Sequence, residues 1–195
     1  MAIEFSQFVD PEVTRKKFLA ELDDFFENRQ DLRRQGVFLL EHSDISVSLM
    51  FAISKIKPNP IAFAVNIDYT NWDVEPPSIK FIDPFSGNVL KRKEILINFY
   101  QVQAGSIPGS NPNLLDLLQG NGDSIPFFCI PGVREYHDHA WHSGDRWLAY
   151  RNSEEGKLMT LIHQLYNHSI AQASQLSFVL DLKIQGISTE IKNGI

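Results

Sequence analysis

One cysteine in 195 residues excludes any disulfide within the chain. No apolar run reaches the ~18 residues of a membrane span. The N-terminus, MAIEFSQFVDPE, lacks the charged start and apolar core of a signal peptide. Clustered cations are also missing. Lys and Arg number 18 against 24 Asp and Glu, for a net charge of -6, and the densest groups are only Arg15, Lys16, Lys17 and Lys91, Arg92, Lys93. Phosphate backbones are bound by dense positive charge, so no nucleic-acid partner is expected. There are no internal repeats and no long low-complexity tract. These absences lead us to expect a soluble, cytoplasmic protein with no membrane partner. Its 43% hydrophobic content and 14 phenylalanines are enough for a sizeable core. The length suits one domain over 1–195, with an insertion at 84–125 and a frayed tail from about 186.

The residues that can do chemistry are gathered in one place. Residues 126–147 read PFFCIPGVREYHDHAWHSGDRW. They hold the lone Cys129, three of the six histidines (His137, His139 and His142), Trp141 and Trp147, with Glu135, Asp138 and Asp145 between them.

The rest of the chain has the marks of a scaffold. Asp10-Pro11-Glu12 is a helix start, with a capping acid, proline at the first helical position and an acid in the first turn. Phe18, Leu22, Phe25, Phe26 and Leu32 follow at helical spacing, and Gly36 marks the end. The segments VFLLEH, ISVSLMFAI and IAFAVNIDY then read as three strands with short links, an antiparallel meander. Ile45, Val47 and Leu49 alternate with Ser46 and Ser48, which predicts one wet face. Pro76-Pro77 must leave the ladder, and 78–82 is a short fourth strand. NVLKRKEILINFYQVQ reads as a helix or a strand pair, and LLDLLQ as a turn of helix. A second amphipathic helix is expected from about Glu155 to His168, with His163 and His168 at its surface or core edge, and LSFVLDLKI as a further strand or helix. The fold class is α+β: an N-terminal helix, an antiparallel β-meander and C-terminal helices.

That order resembles the ubiquitin-conjugating enzyme fold. The text DYTNWDVEPPSIKFIDP is similar to that family's link from its third strand, through a Pro-Pro pair, into its fourth. FFCIP puts Cys129 where the family has its nucleophile, upstream of a Trp (Trp147) and a helix. The resemblance covers residues 10–172, roughly, and implies three partners: a ubiquitin-like protein, a cognate activating enzyme and a target protein. The family's His-Pro-Asn tripeptide is absent, the stretch before the cysteine is longer, and a histidine run follows it. In this the chain resembles divergent bacterial conjugating-enzyme-like proteins, which would imply a part in antiviral defence. It is also similar to a bacterial group predicted to bind metal through a Cys, a Glu and two His. Here those would be Cys129, Glu135 and two of His137, His139 and His142.

Several chemistries are open. In the first, Cys129 is a transferase nucleophile that needs no cofactor and takes a ubiquitin-like C-terminus as a thioester. An imidazolium from His137, His139 or His142 would lower the thiol below its free value of ~8.5. Asp138 or Asp145 would orient that histidine or deprotonate an acceptor lysine. In the second, Cys129, Glu135, His137 and His139 hold zinc, with His142 also able to close the four-ligand set. Glu135, His137 and His139 are spaced by two, and in an extended segment all three leave one face. The third is a module that binds a ubiquitin-like protein without catalysis. A Ser143 triad with His142 or His139 is a minor fourth, with no nucleophile-elbow motif behind it. A bland alternative has Cys129 buried between Phe128 and Ile130.

Overall fold

The Asp10 carboxylate accepts the N–H of Glu12 at 2.8 Å, and Pro11 occupies a position where no donor is needed. Helix α1 therefore starts at Pro11 and runs to Gln35, where Gly36 closes it in the left-handed conformation. The computed structural model describes residues 6–103, 113–142 and 145–173. The expectations for LSFVLDLKI and the tail lie outside those residues.

Four strands follow: β1 (Val37–His42), β2 (Ser46–Ala52), β3 (Ile61–Asp68) and β4 (Ser78–Ile82). They pair in that order, each antiparallel to the last, as the turn-separated β-branched runs predict. One face of the sheet presents Val47, Leu49, Phe51, Val65, Ile67, Ile79 and Phe81, all buried. Phe18, Leu22, Phe25 and Leu32 of α1 are buried in the same core cluster. Each such side chain contributes roughly 1.5–3 kcal/mol on removal from water. The opposite face carries a polar row across the strands. Glu41 pairs in register with Ser48, Ser48 with Asn66 and Asn66 with Lys80. Ser48 is nonetheless buried, and Asn66 donates to its hydroxyl at 3.1 Å. The face expected to be wet is a hydrogen-bonded one. Phe26, expected on the apolar stripe of α1, is 40% exposed and meets His42 edge-on.

The segment between β4 and Cys129 departs most from expectation. Arg92–Glu94 makes a single 3-10 turn. Strand β5 (Tyr100–Val102) pairs with β6 (Leu114–Asp116), and β7 (Leu118–Gln119) pairs with β8 (Phe127–Phe128). LLDLLQ is thus two short strands and not a helical turn. Asp116 explains the break between them, because its carboxylate accepts the N–H of Leu118 at 2.9 Å and turns the backbone locally. Phe99, Leu117, Leu118 and Phe128 are buried, and Phe99 packs against Phe63, Phe81 and Phe128. This segment therefore extends the core.

A one-turn helix α2 (Arg134–His137) precedes helix α3 (Leu158–Asn167). Helix α3 begins three residues later than the Glu155 expected. Gly156 prevents an earlier start. It is left-handed at φ 81°, its carbonyl accepts the Tyr69 hydroxyl at 2.9 Å, and it lies under Trp72 and Trp147. The cap on α3 comes from α1, where the Glu21 carboxylate accepts the N–H of Leu158 at 3.0 Å. His163 on this helix is exposed, as expected. No helix among the described residues is long and apolar enough to cross a membrane.

Candidate active site

Strand alternation sets Cys129. Phe128 and Ile130 on either side point into the core, and Cys129 between them is only half-buried. Its N–H extends the β7–β8 ladder by donating to the Leu117 carbonyl at 2.7 Å. The bland alternative thus holds for its neighbours and fails for the cysteine. Cys129 borders a cleft of about 160 Å³ between β5 and α3. Gln101, Glu155, Thr160, Gln164 and His168 contribute to the walls. None of these five was singled out as part of a site from sequence, because none lies within residues 126–147. His168, expected at the core edge, ties α3 to β5: Nδ1 lies 3.0 Å from the Tyr100 carbonyl and Nε2 lies 2.8 Å from Gln164 Oε1.

Of the three histidines, His142 meets the thiol. Its Nε2 lies 3.4 Å from Cys129 Sγ, a sulfur hydrogen-bond distance. Burial pushes the Cys129 thiol up, the reverse of the expected lowering. A neutral thiol needs a proton acceptor when it attacks, and His142 is in place to be one. His139 stacks on Phe127, with ring centres 5.1 Å apart, and its ring centre is 6.0 Å from that of His142. His137 has both nitrogens engaged. Nε2 accepts the Gly132 N–H at 3.1 Å, and Nδ1 lies 2.7 Å from the Asp145 carbonyl, which fixes Nδ1 as the donor. His137 is thus a brace across the loop.

The proposed zinc ligands do not converge. Their spacing by two was read on an extended segment, but Arg134–His137 is helical, so Glu135 and His137 leave different faces. Glu135 turns to β4, where the Ser78 hydroxyl donates to it and Lys80 pairs with it at 2.5 Å. Among the described residues no three of His, Cys, Asp and Glu are gathered so as to hold a metal ion. The helical turn is fixed by Arg134, which is 3% exposed. Its N–H donates to the Pro77 carbonyl at 2.8 Å, and its guanidinium donates to the carbonyls of Pro76 at 3.0 Å and Thr70 at 2.5 Å. The Pro-Pro exit from the sheet offers carbonyls that no ladder uses, and Arg134 binds them. The two motifs noted separately in the sequence are therefore one junction.

The two aspartates also part company. Asp138 follows α2, and burial raises its carboxyl. Asp145 accepts the hydroxyls of Tyr136 and Tyr150, one on each oxygen, and these bonds hold its carboxyl below the usual range. Ser143, the minor candidate, lies outside the described residues. Tyr136 is a functional candidate that the sequence reading passed over. Its ring stacks on His142 at 3.9 Å between centres and 26° between planes. Its place among the histidines, in EYHDH, was the available signal.

Comparison with known proteins gives a family. The Y4jH family model, described as Y4jH-like, matches residues 9–173. The protein y4jH of Sinorhizobium fredii (strain NBRC 101917 / NGR234) is 37% identical in an alignment 194 residues long that covers 93% of this chain and 94% of that one. The match takes in α1, the four-stranded sheet, Cys129, His142 and α3, and the chain belongs to the Y4jH family.

Proposed function

We propose that this protein is an acyl-transfer enzyme in which Cys129 takes the C-terminus of a ubiquitin-like protein from an activating enzyme. The observation that carries this reading is the Cys129 Sγ to His142 Nε2 contact of 3.4 Å at the edge of a narrow cleft. In the first step the Cys129 sulfur attacks the carbonyl carbon of the activating enzyme's thioester. The new S–C bond forms as the old one breaks, the activating enzyme's thiolate leaves, and His142 takes the Cys129 proton. In the second, an acceptor nitrogen or oxygen attacks the same carbon, Cys129 leaves as thiolate, and the acceptor's proton passes to a base.

The cleft supports a thin substrate. At about 160 Å³ it is well below the roughly 300–1,000 Å³ of pockets that enclose a small molecule, while an extended chain end could lie along it. The element order supports a conjugating-enzyme-like scaffold: helix, four-stranded meander, Pro-Pro exit before the fourth strand, then cysteine, Trp147 and helix.

The test mixes the protein with a cognate activating enzyme, ATP and the ubiquitin-like protein. A covalent adduct that reducing agent reverses, and that is lost in Cys129→Ala, is expected. No adduct under conditions that charge the activating enzyme would overturn the proposal. Partner binding without an adduct would assign the protein to the non-catalytic class.

A further inference from the structure

His142 ends a single 3-10 turn, Ala140–His142. One such turn does little to fix a ring. The Tyr136 ring lies against it at 3.9 Å, nearly parallel. Stacking of that kind sets the plane of an imidazole but lets it slide, unless the ring beneath is itself held. Tyr136 is held at both ends. Its backbone belongs to α2, which Arg134 anchors to the Pro76 and Pro77 carbonyls, and its hydroxyl donates to Asp145. Asp145 in turn binds the backbone of the histidine turn, since its N–H donates to the His142 carbonyl at 2.8 Å. The Asp145 carbonyl faces His137 Nδ1 at 2.7 Å. Tyr150 donates to the second carboxylate oxygen, so the hydroxyl of Tyr136 has one oxygen to itself.

We infer that Tyr136 and Asp145 are positioning residues that hold the His142 imidazole against the Cys129 thiol. The inference rests on the Cys129–His142 pairing of the proposed function and goes beyond it by naming the parts that aim the base. In this role both residues act through the imidazole. Among the described residues, the titratable groups seen around His142 are Cys129, His139, Tyr136 and Asp145, with His137 braced behind them. Loss of the hydroxyl anchor should therefore register as a change in thiol ionisation and not only in stability.

The lone cysteine makes the experiment direct. The rate of Cys129 alkylation by iodoacetamide is measured against pH on the full chain. The variants are His142→Ala, Tyr136→Phe, Tyr150→Phe and Asp145→Asn, each checked for folding by circular dichroism. Tyr136→Phe and Tyr150→Phe delete the same group from the same carboxylate, but Tyr150 lies against His137, 5.4 Å between ring centres, whereas Tyr136 carries His142. His142→Ala is expected to move the profile to higher pH. Tyr136→Phe and Asp145→Asn should move it the same way, with roughly fivefold slower alkylation at neutral pH, and Tyr150→Phe should stay within about twofold of wild type. Asp145→Asn keeps the inference falsifiable if Tyr136→Phe fails to fold. A Tyr136→Phe profile that coincides with wild type, or with Tyr150→Phe, would overturn the inference. An unshifted His142→Ala profile would overturn both it and the role given to His142. Shifted profiles without any thioester adduct would overturn the acyl-transfer reading alone and support the positioning one.

Discussion

Glu135 and Lys80 stand 2.5 Å apart, and their pairing takes the one glutamate of the histidine run away from the cysteine. The Ser78 hydroxyl and, at 3.4 Å, the Ile79 N–H also donate to the carboxylate. Both side chains are only about one-fifth exposed, so solvent replaces these bonds poorly. Glu135→Ala is expected to cost about 1–3 kcal/mol. That corresponds to a Tm lower by about 2–4 °C for each kcal/mol at this chain length. The thiol alkylation profile should not move, because this contact lies on the sheet side of α2. A profile shift without a loss of Tm would place Glu135 in the site after all.

The same geometry makes a statement about zinc. With Glu135 paired to Lys80 and both nitrogens of His137 engaged, Cys129 and His139 lack the other two of the four expected ligands. Protein purified without a metal resin should carry far less than one zinc per chain by elemental analysis. Zinc at one equivalent, lost in both Cys129→Ala and His137→Ala, would reverse that expectation and remove the sulfur from catalysis.

These two cases show where sequence reading stopped. The caps and alternations of residues 10–82 are local signals, and α1 and the four strands appeared where those signals put them. Cys129 was conspicuous in the sequence as a lone thiol among aromatic residues, but which histidine contacts it was not legible. That depended on whether residues 134–137 were extended or helical, and the answer came from Arg134 binding carbonyls at Pro76, Pro77 and Thr70, about 60 residues upstream. The same applies to Asp145, whose two tyrosine donors lie on either side in sequence but meet only once the loop is closed. Pair patterns read one segment at a time cannot register such contacts.

Gly156 is where two tryptophans, a buried tyrosine and the start of α3 meet, and it should not tolerate a side chain. A Cβ there would lie 2.9 Å from Trp147 and 3.0 Å from Trp72, on a residue whose φ is 81°. Gly87 provides the comparison, with φ 72° and nothing within 4 Å of an added Cβ. Gly87→Ala should lose only the left-handed penalty of about 1–2 kcal/mol. Gly156→Ala should lose that and roughly 1–3 kcal/mol more from overpacking. Urea midpoints measure the difference, provided the m value is unchanged. Equal losses would mean that the tryptophans move aside freely.

Glu21 joins the two main helices and should give folding a pH dependence of definite sign. Burial raises its carboxyl, and the Leu158 N–H and Lys157 offset this only in part. The folded protein therefore keeps the Glu21 proton to higher pH than the unfolded chain does. The stability this contributes is whole below the unfolded value of about 4.3 and is lost as pH rises through the raised folded value. Glu21→Gln keeps an oxygen to cap Leu158 and removes the titration. The stability of Glu21→Gln relative to wild type should then grow as pH goes from about 4 to 7. Glu21→Ala loses the cap itself and should fall by about 0.5–2 kcal/mol at neutral pH. Urea midpoints across that range decide the matter. If the advantage of Glu21→Gln shrank with rising pH, the ionised carboxylate on the Leu158 N–H would outweigh its own burial.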